Sequence, residues 1–123
     1  MKKNKLTIAS CLIVFITVCC SCGKYLKETG KASYYADKFV NRPMANGKKF
    51  SQRKLTAAHK TLPFGTKVTV INLMNHKRTK VLVTDRGPFV QGRIIDLSKK
   101  AAKRINMIDA GVVPVELKYK TKK

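Results

Sequence analysis

The chain has 123 residues, of which 44% are hydrophobic and 7% aromatic, and its 27 lysines and arginines outweigh 6 acids for a formal charge of +21. That length leaves room for one domain behind a leader. So large a basic excess points to an anionic partner and says nothing of fold.

Lys2, Lys3 and Lys5 form a positive head, followed by an apolar run from Leu6 to Val18 that is interrupted by Thr7, Ser10 and Thr17. This is the length of a signal-peptide core, short of the roughly 20 residues that span a bilayer. All four cysteines, Cys11, Cys19, Cys20 and Cys22, lie in or directly after it. Cys19-Cys20-Ser21-Cys22-Gly23 resembles a bacterial lipobox, which implies cleavage before Cys22, lipidation of its sulfur and a protein anchored to a membrane of the cell envelope. Residues 22–123 then hold no other cysteine, so no disulfide framework and no cysteine-based metal or nucleophile site is expected. The three leader lysines account for three of the +21 charges, leaving +18. On an exported chain this charge points to an anionic envelope polymer, with nucleic acid a distant alternative. The expected organisation is a signal peptide over 1–21, a polar tether over 22–30, one monomeric domain over 31–120 and a basic tail over 121–123.

A first strand is expected over Lys31–Ala36. The segment Asp37–Lys54, with Pro43 and the turn signal Asn46-Gly47, reads as an 18-residue irregular connection, unusually long for a compact domain and so a candidate functional loop. Leu55–Ala58 reads as a short strand ending at His59, turned by Leu62-Pro63-Phe64-Gly65. Lys67–Leu73 and Lys80–Thr84 alternate, with Val68, Val70, Val81 and Val83 inward, and read as a hairpin across Asn75-His76-Lys77. Ile71 and Leu82 are apolar on the outer side, so that side is expected to be partly covered. Asp85-Arg86-Gly87-Pro88 ends the hairpin, and Ile94-Ile95 begins another buried strand. Ser98 is a candidate helix N-cap before a short helix over Lys99–Asn106. Val113 to Tyr119 alternates as a last strand, with Pro114 suggesting an edge or a first position. Short strands with one small helix make a compact, mainly β barrel.

Several separated segments, in order, resemble the rare lipoprotein A family: Ala32-Ser33-Tyr34-Tyr35, Met44-Ala45-Asn46-Gly47, Leu55-Thr56-Ala57-Ala58-His59-Lys60-Thr61-Leu62-Pro63, Asp85-Arg86-Gly87-Pro88-Phe89 and Gly92-Arg93-Ile94-Ile95-Asp96-Leu97-Ser98. The resemblance covers residues 30 to 119 and implies a six-stranded double-psi β-barrel with one or two short helices. It also implies lytic transglycosylation of peptidoglycan glycan strands, preferably peptide-stripped, with the catalytic pair falling on His59 and Asp85. Asn46, Lys48 and Arg86 fall on the substrate side of the cleft, with one of Tyr34 and Tyr35 stacking on sugar. The chain departs from the family in three ways. Met44 and Lys48 replace a threonine and a glutamate, Asn75-His76 replaces Asn-Gly, and no separate glycan-binding repeat domain is expected.

The residues can be weighed apart from the resemblance. Glycosidic hydrolysis usually uses two carboxylates, and six are available. Glu28 is assigned to the tether, Asp37 to the long loop, Asp109 after the helix and Glu116 to a polar face. Asp96 reads as a pin for a loop or the helix start. Only Asp85 stands at a strand end between Gly/Pro loops, and one good acid fits transglycosylation, in which the sugar's own 6-hydroxyl attacks. For Asp85 to donate a proton near neutral pH, Arg86 must point away; otherwise it serves as a base or electrostatic group, or as half of a loop salt bridge. His59 is expected to orient or charge-couple to Asp85, and His76 to be exposed. No metal site and no cofactor is expected. A reading of a different class is a non-catalytic, expansin-like glycan-binding or wall-loosening module, favoured by Lys48 and the +18 charge.

Overall fold

The computed structural model describes residues 24–120; the leader, Cys22 and the tail over 121–123 lie outside the described residues. The strands are β1 (Tyr25–Tyr34), β2 (Thr56–His59), β3 (Lys67–Asn72), β4 (Arg78–Asp85), β5 (Arg93–Leu97) and β6 (Val113–Lys120), with one helix, α1 (Lys99–Arg104), and a 3-10 turn at Asp37–Phe39. They close into a barrel in the order β1-β5-β2-β4-β3-β6. The pairs β1/β5 and β2/β4 are parallel and the other four antiparallel.

Alternation builds the interior. Val68, Val70, Val81, Val83, Ile95, Leu97, Val115 and Leu117 all point inward and are nearly or fully buried, each such side chain contributing about 1.5–3 kcal/mol. Ala101, Ala102, Ile105 and Met107 join the same core from α1 and the turn after it. The Ser98 hydroxyl accepts from the Ala101 N–H, as an N-cap should, and donates to the Lys54 carbonyl at 2.5 Å, tying the helix start to the long loop. The helix stops at Arg104, two residues short of the expected Asn106.

Two expectations change. Residues assigned to the tether belong to β1, where Tyr25 to Gly30 pair with Lys120 to Val115 of β6. Their inward positions are Leu26, Glu28 and Gly30, too polar or small to register as an alternating strand, and pairing with β6 makes them one. At Gly30 an added Cβ would lie 2.6 Å from Ile94 Cγ2, so the close approach requires glycine. Pro114 marks no edge, since the barrel is closed and it sits second in β6. The outer side is partly covered, as expected: Ile71 is buried, whereas Leu82 is 40% exposed.

Candidate active site

Everything in the cleft is referred to β2. Ala57 pairs with Leu97 and His59 with Ile95, both core residues, so Ala57 and His59 face the interior and Ala58 the exterior. Ala58 lies opposite Asp96 of β5, and Asp96 opposite Ser33 of β1. On its other side Ala58 lies opposite Asp85 of β4. Regular alternation after Val81 and Val83 would turn Asp85 inward. The register shifts between Ala57 and Ala58, Thr84 becomes the extra residue, and Asp85 joins the outer row. A bulge that re-aims a side chain beside a site is a recurrent device. Asp85 and Asp96 thus flank Ala58, with Cα atoms two strand spacings, roughly 9–10 Å, apart.

The Asp85 carboxylate accepts three hydrogen bonds. The Tyr35 hydroxyl donates to Oδ2 at 2.5 Å, and the Ala45 and Arg86 N–H groups donate to Oδ1 at 2.8 and 2.9 Å. Burial, followed by the bond to Asp85, pushes the Tyr35 phenol far above its ordinary value, so it acts here as a donor. Tyr35 is held by Phe50 at 4.4 Å between ring centroids and by the edge of Phe39 at 5.7 Å. Its carbonyl takes the Gln52 side-chain amide, and Gln52 Oε1 accepts the Lys99 N–H, fastening loop to helix. The long loop therefore folds over the end of β4. Its tip turns at Asn46-Gly47, with Gly47 at φ 85°, and the Asn46 N–H reaches the Thr84 carbonyl at 3.3 Å.

Asp96 is the acid that sequence reasoning set aside. Burial raises its carboxyl above the usual carboxylate range; a hydrogen bond from Ser33 and the charge of Arg93 oppose this, and the nearby Asp85 charge adds to it. Alternation around Ile95 and Leu97 marks Asp96 as outward-facing, but only strand pairing brings it beside Asp85.

His59 is 4% exposed and lies on the opposite face from Asp85. Its Nδ1 accepts the N–H groups of Thr61 and Leu62 at 3.2 and 3.1 Å, and its Nε2 lies 2.9 Å from Glu28 Oε2. The expected pairing of His59 with Asp85 is replaced by one with Glu28, which the assignment to a tether had hidden. Arg86 points away from Asp85. Its Nη1 donates to the carbonyls of Leu62 at 2.7 Å and His59 at 3.2 Å, and its guanidinium stacks over Phe64 at 4.1 Å. No Asp85–Arg86 salt bridge forms among the described residues.

Of the two tyrosines, Tyr35 enters the cleft. Tyr34 packs on the core and donates to the Ile108 carbonyl at 3.0 Å, which removes it from the sugar-binding set. Lys48 is exposed beside the loop tip, with its N–H on Asn46 Oδ1. His76 is exposed in the hairpin turn at φ 61°. Phe89, four residues beyond Asp85, is 84% exposed and offers an apolar face that sequence reasoning did not single out. A separate groove of about 550 Å³ runs over Leu55, Val81 and Leu82 and is rimmed by Arg53, Lys67 and Lys80; it holds no carboxylate. Among the described residues no three His, Cys, Asp or Glu side chains cluster as metal ligands.

A family model described as "Lytic transglycolase" matches residues 27–117. The "Probable endolytic peptidoglycan transglycosylase RlpA" of Aquifex aeolicus is 50% identical over 97 residues, covering 79% of this chain and 42% of that protein. The "Endolytic peptidoglycan transglycosylase RlpA" of Campylobacter jejuni is 52% identical over 88 residues, covering 72% and 32%. The chain thus spans less than half the length of these relatives. Among solved structures, the Streptomyces papain inhibitor superposes with a TM-score of 0.62 at 28% identity, covering 78% of this chain and 96% of that one. A Clavibacter michiganensis expansin, solved as a mutant with cellohexaose, superposes at 0.60 with 18% identity, covering 80% and 52%. The barrel is of the double-psi kind.

Proposed function

The chain belongs to the lytic transglycolase family, and from that premise we propose that it is an exported lipoprotein that cleaves peptidoglycan glycan strands, preferentially peptide-stripped ones, by lytic transglycosylation. The observation that carries this reading is the outer row in which Asp85 and Asp96 flank Ala58 beneath the Tyr35 loop. Burial favours the protonated form of Asp96, the form able to donate to the glycosidic oxygen as its bond to C1 breaks. Asp85, already an acceptor, takes the proton from the muramyl 6-hydroxyl as that oxygen bonds to C1 and closes a 1,6-anhydro ring. Solvent then returns the proton from Asp85 to Asp96. Two carboxylates share a task that the sequence left to one, and the attacking hydroxyl belongs to the substrate. Exposed Phe89 offers a stacking face for a sugar ring.

The test is incubation of the full chain with peptidoglycan sacculi whose peptides have been removed by an amidase. Released products should end in 1,6-anhydro sugars; reducing ends would mean hydrolysis. Binding should weaken steeply with salt, because exposed charges are screened beyond about 8 Å at physiological ionic strength. Anchoring at Cys22 rests on the lipobox resemblance, and Cys22→Ser should abolish palmitate labelling; unchanged labelling would remove that anchor.

A second reading, a non-catalytic glycan-binding module, is favoured by Lys48, a cation where the family carries an acid, standing exposed beside the loop tip. A double-psi barrel does not by itself imply catalysis, and one superposing protein is named as an inhibitor. Intact binding with no product from the wild type would select this reading.

A further inference from the structure

We infer that Glu28 is a positioning residue for the cleft, acting through His59 and Arg86 from the inner side of the barrel; this rests on the assignment of Asp85 to the reaction. Glu28 is opposite Leu117 and therefore faces inward, as do His59 and Tyr119. The Tyr119 ring lies edge-on to His59 at 6.4 Å, and burial together with the Glu28 carboxylate raises its phenol. The three side chains form a polar cluster within the apolar wall.

The hydrogen bonds fix the tautomer of His59. Its Nδ1 accepts two backbone N–H groups and so carries no proton, which leaves the ring hydrogen on Nε2, 2.9 Å from Glu28 Oε2. Glu28 reinforces this tautomer, since the alternative would set an N–H at Nδ1 against both backbone donors and leave Nε2 as an acceptor facing a carboxylate. The chosen tautomer folds residues 59–62 back on themselves, so that the carbonyls of His59 and Leu62 converge on Arg86 Nη1. The anchored Arg86 in turn holds its own N–H on Asp85 Oδ1.

The chain of contacts runs from Glu28 through the His59 ring and the 59–62 turn to Arg86 and Asp85. It keeps the guanidinium off the carboxylate and fixes the carboxylate's direction. Both nitrogens of His59 are occupied on the inner side, so His59 supports the wall and does not carry a proton to the sugar. A carboxamide at position 28 keeps an acceptor for the Nε2 hydrogen, whereas alanine removes it.

The experiment uses the full-length wild type, Glu28→Ala and Glu28→Gln, with two readouts. The first is ¹⁵N–¹H correlation of the His59 ring and of the Ala45 and Arg86 amides, which bracket Asp85. Wild type should show His59 protonated at Nε2 alone; Glu28→Ala should leave that hydrogen without its acceptor, moving the Nε2 resonance and both amides, and Glu28→Gln should keep all three. The second is turnover of amidase-treated sacculi. Glu28→Ala should lower kcat by an order of magnitude or more, toward the roughly 100-fold that a misplacement of about 1 Å costs, with KM little changed, and Glu28→Gln should restore most of it. An Nδ1-protonated ring in wild type overturns the inference, as does wild-type kcat in Glu28→Ala or a Glu28→Gln as impaired as the alanine variant. Absence of product from wild type would defeat the transglycosylase reading alone. The spectra then decide the relay, and unmoved Ala45 and Arg86 amides in Glu28→Ala overturn it.

Discussion

On its outer face β2 contributes Thr56 and Ala58, the latter a small side chain that leaves room for Asp85 and Asp96 on either side, whereas on its inner face it contributes Ala57 and His59 to the barrel wall. The outer carboxylates differ from each other in setting. Asp85 accepts bonds from a phenol and two backbone N–H groups, while Asp96 has Ser33 and a surrounding that favours its neutral form. The inner pair, Glu28 and His59, is satisfied within itself and the adjoining turn. One four-residue strand therefore separates the two outer carboxylates from the Glu28–His59 pair, and the bulge at Thr84 decides on which side Asp85 falls.

The largest expected effect on this contrast comes from Asp85→Asn. The shape is kept and the basic carboxylate lost, so cleavage of peptide-stripped sacculi should fall by roughly 10²–10⁴-fold with folding and glycan binding retained. Undiminished turnover in that variant would take Asp85 out of the reaction. On the inner side, Gly30→Ala drives a methyl into Ile94 and should cost about 1–3 kcal/mol by overpacking, read from denaturant unfolding. A neutral result would mean that β1 and β5 can part there at little cost.

Smaller effects sharpen the difference between the two acids. Tyr35→Phe removes one donor to Asp85 and should lower kcat roughly tenfold, the equivalent of about 1.5 kcal/mol for a hydrogen bond to a charged group. A rate equal to wild type would make the loop a cover and nothing more. For Asp96 the folded carboxyl holds its proton to higher pH than the unfolded one. Stability is then lost as pH rises from the unfolded value, about 3.9, through the folded one. Asp96→Asn should match wild type at the lowest pH and be the more stable of the two at neutral pH. Thermal melts that rank them the other way would show Asp96 stabilised as a carboxylate.

The barrel class, the hairpin, the Ser98 cap and the position of Asp85 at a strand end were legible in the sequence because each rests on local pattern: alternation at Val68, Val70, Val81 and Val83, a serine before a helical stretch, an acid between Gly/Pro loops. The beginning of β1 was not, because Glu28 and Gly30 occupy inward positions without an apolar signature and become a strand only by pairing with β6. The long loop was recognisable by length, yet its contact with Asp85 depends on Tyr35, Phe39 and Phe50 coming together.

The sequence by itself determined that Asp85 and His59 stand at strand ends, since residue type and period-two alternation are properties of the local chain. Only the tertiary structure decided their company. Asp85 could have fallen on either side of the sheet, and a one-residue register shift placed it in line with Ala58 and Asp96. His59 was assigned to Asp85 and faces Glu28 instead, because opposite residues on neighbouring strands share a face whereas consecutive residues do not. Register between distant strands is fixed by closing the barrel around one core, and no stretch of sequence contains it.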